Sequence, residues 1–127
     1  MIYADTNILV YLVEDLTARG DELRQRFAAI SDQIAVSPLV AMECRVAPLR
    51  RGDALLARRY DSLIDGLTML DIESEVYRGA AVLRAGHALS AIDALHLATA
   101  QFHLCEGFWT HDARLARAAG GMGIEVV

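Results

Sequence analysis

Four acidic residues stand where a solvated surface does not place them. Asp5 directly follows a short apolar run, and Asp112 follows a second one whose last residue is Thr110. Glu43 has Leu39, Val40, Val46 and Ala47 at i±3 and i±4, so it lies within an apolar helical stripe. Asp93 has Leu89, Ser90, His96 and Leu97 at the same spacings. An ionised carboxylate on an apolar face is costly unless it is paired or bound to a metal. If the four acids converge, two carboxylates about 5 Å apart repel by roughly 3 kcal/mol at an effective dielectric of about 20. Such a cluster stands only with a divalent cation in it. Oxygen-only ligands suit Mg²⁺ or Mn²⁺, and that kind of site activates water and stabilises a phosphoryl transition state. Taken singly, each acid also reads as a helix cap or half of an ion pair. Asp112 could cap the last helix, and Arg45 and Arg114 lie near two of the acids in sequence.

Elements must then bring these positions together. Met1–Ala4 reads as a strand ending at Asp5, and Thr6–Val13 as a helix capped by Thr6 or Asn7. Leu16–Ile30 repeats Leu23, Phe27 and Ile30 at helical spacing, and Gln33–Ser37 reads as a second strand. Pro38 suits the first turn of a helix through Arg50, which Pro48 is expected to bend or end early. Asp53–Asp65 reads as a helix with Leu55, Leu56, Leu63 and Ile64 on its apolar face, Leu67–Leu70 as a strand and Ser74–His87 as a helix. Ala91–His103 follows, apolar at Ile92, Leu95, Thr99 and Phe102. Then come a strand at Gly107–Thr110, a short helix at Asp112–Ala119, a glycine-rich turn and a closing strand at Ile124–Val127. Alternating strands and helices imply right-handed crossovers. The expected fold is α/β: one three-layer α/β/α domain over residues 1–127 around a mostly parallel sheet of about five strands. Ligands of open sheets bind beyond the carboxyl ends of the strands, where Asp5 and Asp112 fall.

Composition narrows the classes. The chain has 127 residues, 54% of them hydrophobic and 23% charged, which excludes intrinsic disorder. Size scaling gives a folded surface of roughly 6,700 Å². Cys44 and Cys105 have no CxxC spacing and cannot form a disulfide framework, so buried thiols in a reducing cytoplasm are expected. The longest uncharged stretch, Ala94–Cys105, is shorter than the ~20 residues of a membrane span, and Asp5 interrupts the first apolar run. The net charge of −5 weighs against broad nucleic-acid affinity. Arg45, Arg50, Arg51, Arg58 and Arg59 nevertheless fall in one stretch with only Asp53 to offset them. That stretch fits an RNA-facing ridge, a solvated helix face or a subunit contact.

The residues together resemble the PIN domain, the metal-dependent nuclease domain of VapC toxins. Asp5-Thr6-Asn7 after a short strand resembles its opening, and Glu43 matches its second acid. Asp93-Ala94-Leu95-His96-Leu97-Ala98-Thr99-Ala100 resembles its third-acid helix, and Phe108-Trp109-Thr110-His111-Asp112 its final strand and acid. The resemblance covers essentially the whole chain. It implies a Mg²⁺- or Mn²⁺-dependent endoribonuclease whose acidic quartet is Asp5, Glu43, Asp93 and Asp112, with Asp5 and Asp93 as the principal metal ligands. Thr110 would support the site, and Asn7 would stand beside Asp5 or cap the helix. His111 departs from the Asn often found before the last acid, which leaves it open to a substrate contact, proton transfer or a solvent-facing role. His96 could orient Asp93 or pack within its helix. A homodimer held inactive by a VapB-like antitoxin would follow.

Other classes fit less well. A phosphoacceptor receiver domain needs an active-site Lys, and all 12 basic residues here are Arg. A haloacid-dehalogenase-like phosphatase wants a second Asp where Asn7 stands. A PIN nuclease of RNA processing without an antitoxin, or a catalytically silent PIN-like binding module, shares the motifs; the intact quartet argues against the silent form.

Overall fold

The first strand of the chain, β1 (Ile2–Ala4), becomes the centre of a five-stranded parallel sheet ordered β3-β2-β1-β4-β5. Its companions are β2 (Ile34–Val36), β3 (Thr68–Met69), β4 (Gly107–Thr110) and β5 (Gly123–Val126). The structure is a computed structural model and describes residues 1–126; Val127, the last residue of the expected closing strand, lies outside them. Ile2 sits opposite Ile34 on one side and Gly107 on the other. Tyr3, Ala4, Ile34, Ala35, Val36 and Phe108 are wholly enclosed. A parallel strand covered on both faces has no solvent side, so these runs are continuously apolar rather than alternating.

Helices α1 (Thr6–Glu14) and α2 (Ala18–Ile30) carry the chain from β1 to β2, and α3 (Pro38–Arg51) and α4 (Ala54–Asp65) carry it on to β3. Helices α5 (Ser74–Gly86) and α6 (Ala91–Phe102) return it across the sheet to β4. Right-handed crossovers in opposite directions put α1–α4 on one face and α5 and α6 on the other, the expected three layers. Strand order reverses between β1 and β4. The crevice at their carboxyl ends is therefore the switch point at which open sheets bind ligands. The accessible surface is 7005 Å², close to the value expected from size.

Local chemistry moved several boundaries. The cap of α1 is Asp5, not Thr6 or Asn7, because its extended backbone lets the carboxylate accept the Ile8 N–H. Helix α2 starts at Ala18 because Asp15 Oδ1 accepts both the Thr17 N–H (2.8 Å) and its hydroxyl (2.6 Å), which holds the preceding turn. Pro48 does not end α3 early. Its ring is buried, and its carbonyl accepts the N–H groups of Gly52 and Asp53, so the last turn continues to Arg51. Helix α4 buries Leu56, Tyr60 and Ile64 but leaves Leu55 70% exposed. Of the face expected for α6, Thr99 is fully buried, Ile92 and Leu95 are half-buried and Phe102 is exposed, whereas Ala94, His96, Leu97, Ala98 and Ala100 beside it are also buried. A helix apolar nearly all round presents no single stripe from which to read its orientation. The segment after Asp112 is a 3₁₀ helix, Ala113–Ala118. Cys44 and Cys105 are buried free thiols. Among the described residues no helix is long and apolar enough to cross a membrane.

Gly20 marks the tightest corner. A Cβ there would stand 2.1 Å from the Asp15 carbonyl oxygen. Alanine ordinarily favours a helix over glycine by about 1 kcal/mol. Here Gly20→Ala is expected to lower stability by about 1–3 kcal/mol through overpacking, seen as a reduced urea midpoint. An unchanged or higher midpoint would show that the corner between α1 and α2 yields.

Candidate active site

Asp5 leaves β1 with its N–H on the Trp109 carbonyl of β4 (3.2 Å), while its Oδ1 accepts the Ile8 N–H (3.4 Å). It is only 8% exposed. Burial raises its pKa above the ordinary Asp value, and the Thr110 hydroxyl, His96, the Ile8 N–H and His111 offset only part of that. The Thr110 hydroxyl also accepts the Asp112 N–H at 3.0 Å. One hydroxyl at the end of β4 thus links the first acid to the backbone of the fourth.

Glu43 comes from the second turn of α3. Its Oε1 accepts two short hydrogen bonds, from the Thr6 hydroxyl (2.5 Å) and from His96 Nε2 (2.7 Å). Partial burial works to raise its pKa, but the hydrogen bonds from His96 and Thr6 outweigh it and hold the carboxyl below the ordinary Glu value. His96 therefore serves Glu43, on the opposite layer, and not Asp93, one turn away on its own helix. Its other ring nitrogen, Nδ1, meets the Tyr3 hydroxyl at 2.7 Å, and that hydroxyl meets Ser37 Oγ at 2.7 Å. Nothing in the spacing of Tyr3, Ser37 and His96 announces this chain; Tyr3 reads as a core aromatic and Ser37 as a helix cap.

Asp93 lies half-buried in the first turn of α6, where the helix dipole favours an anion, and its N–H is capped by Ser90 Oγ at 3.1 Å. Asp112 caps the 3₁₀ helix through the Arg114 N–H and takes a forked pair from the Arg114 guanidinium, Nε to Oδ1 at 3.0 Å and Nη2 to Oδ2 at 2.7 Å. Those hydrogen bonds hold its pKa below the ordinary Asp value. Asp112 therefore meets both alternatives that its sequence left open, a helix cap and an ion pair. The Arg114 charge feels Asp93 as well as Asp112.

Asp5 and Glu43 both act on the Tyr3 hydroxyl, and Asp93 and Asp112 on Arg114. Among the described residues, no three His, Cys, Asp or Glu side chains form a group that could hold a metal ion. The Arg114 fork engages both oxygens of Asp112. The donor set still fits a hard cation: it is all oxygen, Mg²⁺ needs only one or two carboxylates with waters, and a buried anion such as Asp5 gains from a nearby positive charge. Asn7 is exposed and makes no hydrogen bond to Asp5 among the described residues. The His111 ring packs on Tyr11 with centroids 4.0 Å apart.

Arg50 and Arg51 close α3, about 11 Å along the helix axis from Glu43. The arginine stretch is more compensated than its sequence suggests, because Arg45 pairs with Asp61 (3.1 Å) and Arg51 with Glu14 (3.5 Å). An open groove of about 550 Å³ between α1, α2 and α4, lined by Leu12, Phe27, Arg58 and Leu63 among others, contains none of the four acids.

Comparison with known proteins agrees with this architecture. The PIN domain family model matches residues 2–121, and the chain belongs to that family. A chain in a toxin–antitoxin complex from Klebsiella pneumoniae is 27% identical, with 98% of this chain and 96% of that one covered at a TM-score of 0.78. FitAcB from Neisseria gonorrhoeae is 20% identical over 98% of this chain and 96% of that one, with a TM-score of 0.80. VapC20 from Mycobacterium tuberculosis, described as a sarcin–ricin-loop-cleaving toxin, is 17% identical over 93% and 95%, with a TM-score of 0.78. The last two share the fold. No curated protein matches.

The buried Asp5 has a measurable signature. Because its folded pKa lies above the unfolded value of about 3.9, the native state holds the proton more tightly. Ionised Asp5 therefore costs stability at pH above its folded pKa, and that cost disappears as pH falls below the unfolded value. In chelator at pH 7, Asp5→Asn is expected to raise the melting temperature by a few degrees, about 1 kcal/mol corresponding to roughly 4 °C at this size. The gap should close toward pH 4. A variant that melts lower at pH 7 would contradict the assignment of Asp5 as an uncompensated buried anion.

Proposed function

We propose that this protein is a Mg²⁺- or Mn²⁺-dependent endoribonuclease and the toxin of a VapBC-type system, with Asp5, Glu43, Asp93 and Asp112 as its catalytic acids. The observation that carries this reading is the buried carboxylate of Asp5 at the β1/β4 switch point, with the other three acids on the elements around it. Membership of the PIN family and the structural likeness to toxin–antitoxin chains support it. A divalent cation bound there would neutralise developing phosphate charge and lower the pKa of an attacking water.

The residues divide the work. Asp5 and Asp93 are the principal ligands, anchored at the starts of α1 and α6. Glu43 offers a carboxylate held in one orientation by Thr6 and His96. Asp112 contributes once Arg114 shares or releases it. Thr110 keeps Asp5 in place. Arg50, Arg51 and His111 are the proposed RNA contacts, the two arginines at a distance suited to backbone phosphates rather than to the scissile bond and His111 beside Asp112. A homodimer in the cytoplasm, inhibited by a VapB-like antitoxin, completes the reading.

Three measurements test it. RNA cleavage should require Mg²⁺ or Mn²⁺, stop in chelator and fall on the order of 100-fold or more in Asp5→Asn and in Asp93→Asn. Undiminished cleavage in either variant overturns the assignment. Induction of the chain alone should arrest growth; continued growth with a folded, cleaving product would instead favour a nuclease of RNA processing. Neutralising Arg50 and Arg51 together should weaken RNA binding and reduce the salt slope by about 1–2. An unchanged slope removes them from the interface.

A further inference from the structure

Glu43 is held through only one of its two oxygens. Oε1 takes both hydrogen bonds, from Thr6 and from His96 Nε2, and among the described residues Oε2 takes none. The donor behind this arrangement is itself fixed. His96 is 2% exposed, its Nδ1 is bound to Tyr3 Oη, and Tyr3 Oη is bound to Ser37 Oγ; Tyr3 and Ser37 are fully enclosed. Tyr3 further stacks on Phe108 with centroids 5.2 Å apart. Ser37 begins α3 without using its hydroxyl as a helix cap, so that group is given over to Tyr3. A carboxylate can only accept, so Nε2 must carry the proton that faces Glu43. The chain of bonds runs from Ser37, between β2 and α3, through Tyr3 of β1 and His96 of α6 to Glu43 of α3, which roots the orientation of one carboxylate in the central strand.

We propose that His96, backed by Tyr3 and Ser37, is a positioning residue. It holds Glu43 Oε1 within the protein and leaves Oε2 as the atom a divalent cation takes. Groups that orient a ligand in this way commonly contribute ~10–100-fold in metal affinity when removed. This inference rests on the nuclease reading above and adds to it residues that the acid pattern does not contain.

Two substitutions separate positioning from packing. In His96→Gln the side-chain amide reaches the Nε2 position and keeps a donor for Glu43 while losing Tyr3. In His96→Asn the amide reaches the Nδ1 position and keeps Tyr3 while losing Glu43. Mn²⁺ binding without RNA is measured by titration calorimetry, and melting temperature is measured in chelator. Both variants are expected to melt below the wild type, since each breaks the enclosed chain. Mn²⁺ affinity should drop ~10-fold in His96→Asn and stay near wild type in His96→Gln. Equal affinities in all three proteins, or equal losses that track melting temperature, overturn the proposal. Should His96→Asn fail to fold, Thr6→Val removes the other bond to the same oxygen; it should weaken Mn²⁺ with little change in core packing, and undiminished affinity there also overturns the proposal. A wild type that neither binds Mn²⁺ nor cleaves RNA refutes the nuclease reading itself. A wild type that does both, beside His96 variants that match it, refutes this inference alone.

Discussion

A carboxylate at the end of the central strand must be shielded from water and still be tolerable as an anion. Much of the surrounding arrangement answers that demand. The free N–H of Ile8 turns toward Asp5 because α1 begins there, and Thr110 brings a hydroxyl to it because β4 ends beside β1. His96 adds an electrostatic contribution from the other layer. None of these fully offsets the desolvation, and strongly perturbed buried groups of this kind concentrate at functional sites. Helix starts are natural positions for such acids, because unpaired N–H groups and the helix dipole both favour negative charge. Asp5, Asp93 and Asp112 all use them: at the cap of α1, in the first turn of α6 and at the cap of the 3₁₀ helix.

The arginines show how a chain without lysine handles its remaining charge. Arg24 donates to the carbonyls of Leu12 and Asp15, at 3.0 and 2.7 Å, and Arg59 donates to that of Val13 at 3.1 Å. The carboxyl end of α1 is therefore tied down by guanidinium groups from α2 and α4. Arg84 does the same for the Leu89 carbonyl beyond α5, at 3.2 Å. A planar fork with several fixed donors suits such carbonyls better than a single ammonium. An arginine count taken from sequence thus overstates the charge available to a phosphate backbone.

Most of the fold was legible because its signals are local. Continuous apolar runs marked the buried strands, and helical spacing marked the helices between them. The four acids stood out by position, two after strands and two inside helical stripes. What stayed hidden depends on partners far apart in sequence. Tyr3 and Ser37 are 34 residues apart, and Glu43 and His96 are 53. No pattern within either helix shows that His96 turns away from Asp93 toward another layer. The orientation of α6 stays hidden for a related reason: a helix apolar nearly all round carries no directional stripe. Pro48 reads as a helix end because its penalty is local, whereas the burial of its ring is set by tertiary packing.

The pairing of β1 with β4 joins segments far apart in sequence; Met1 and Glu106 are bonded across 105 residues. That separation has a consequence for synthesis. Strand β1 is synthesised before its neighbour β4, which is made only after α6. Until Trp109 is available, the N–H of Asp5 lacks its native carbonyl and the Thr110 hydroxyl does not exist. Closing so long a loop is also a slow, late event in folding. A chain that has not yet supplied β4 therefore leaves Asp5 without two of the groups that surround it in the folded protein.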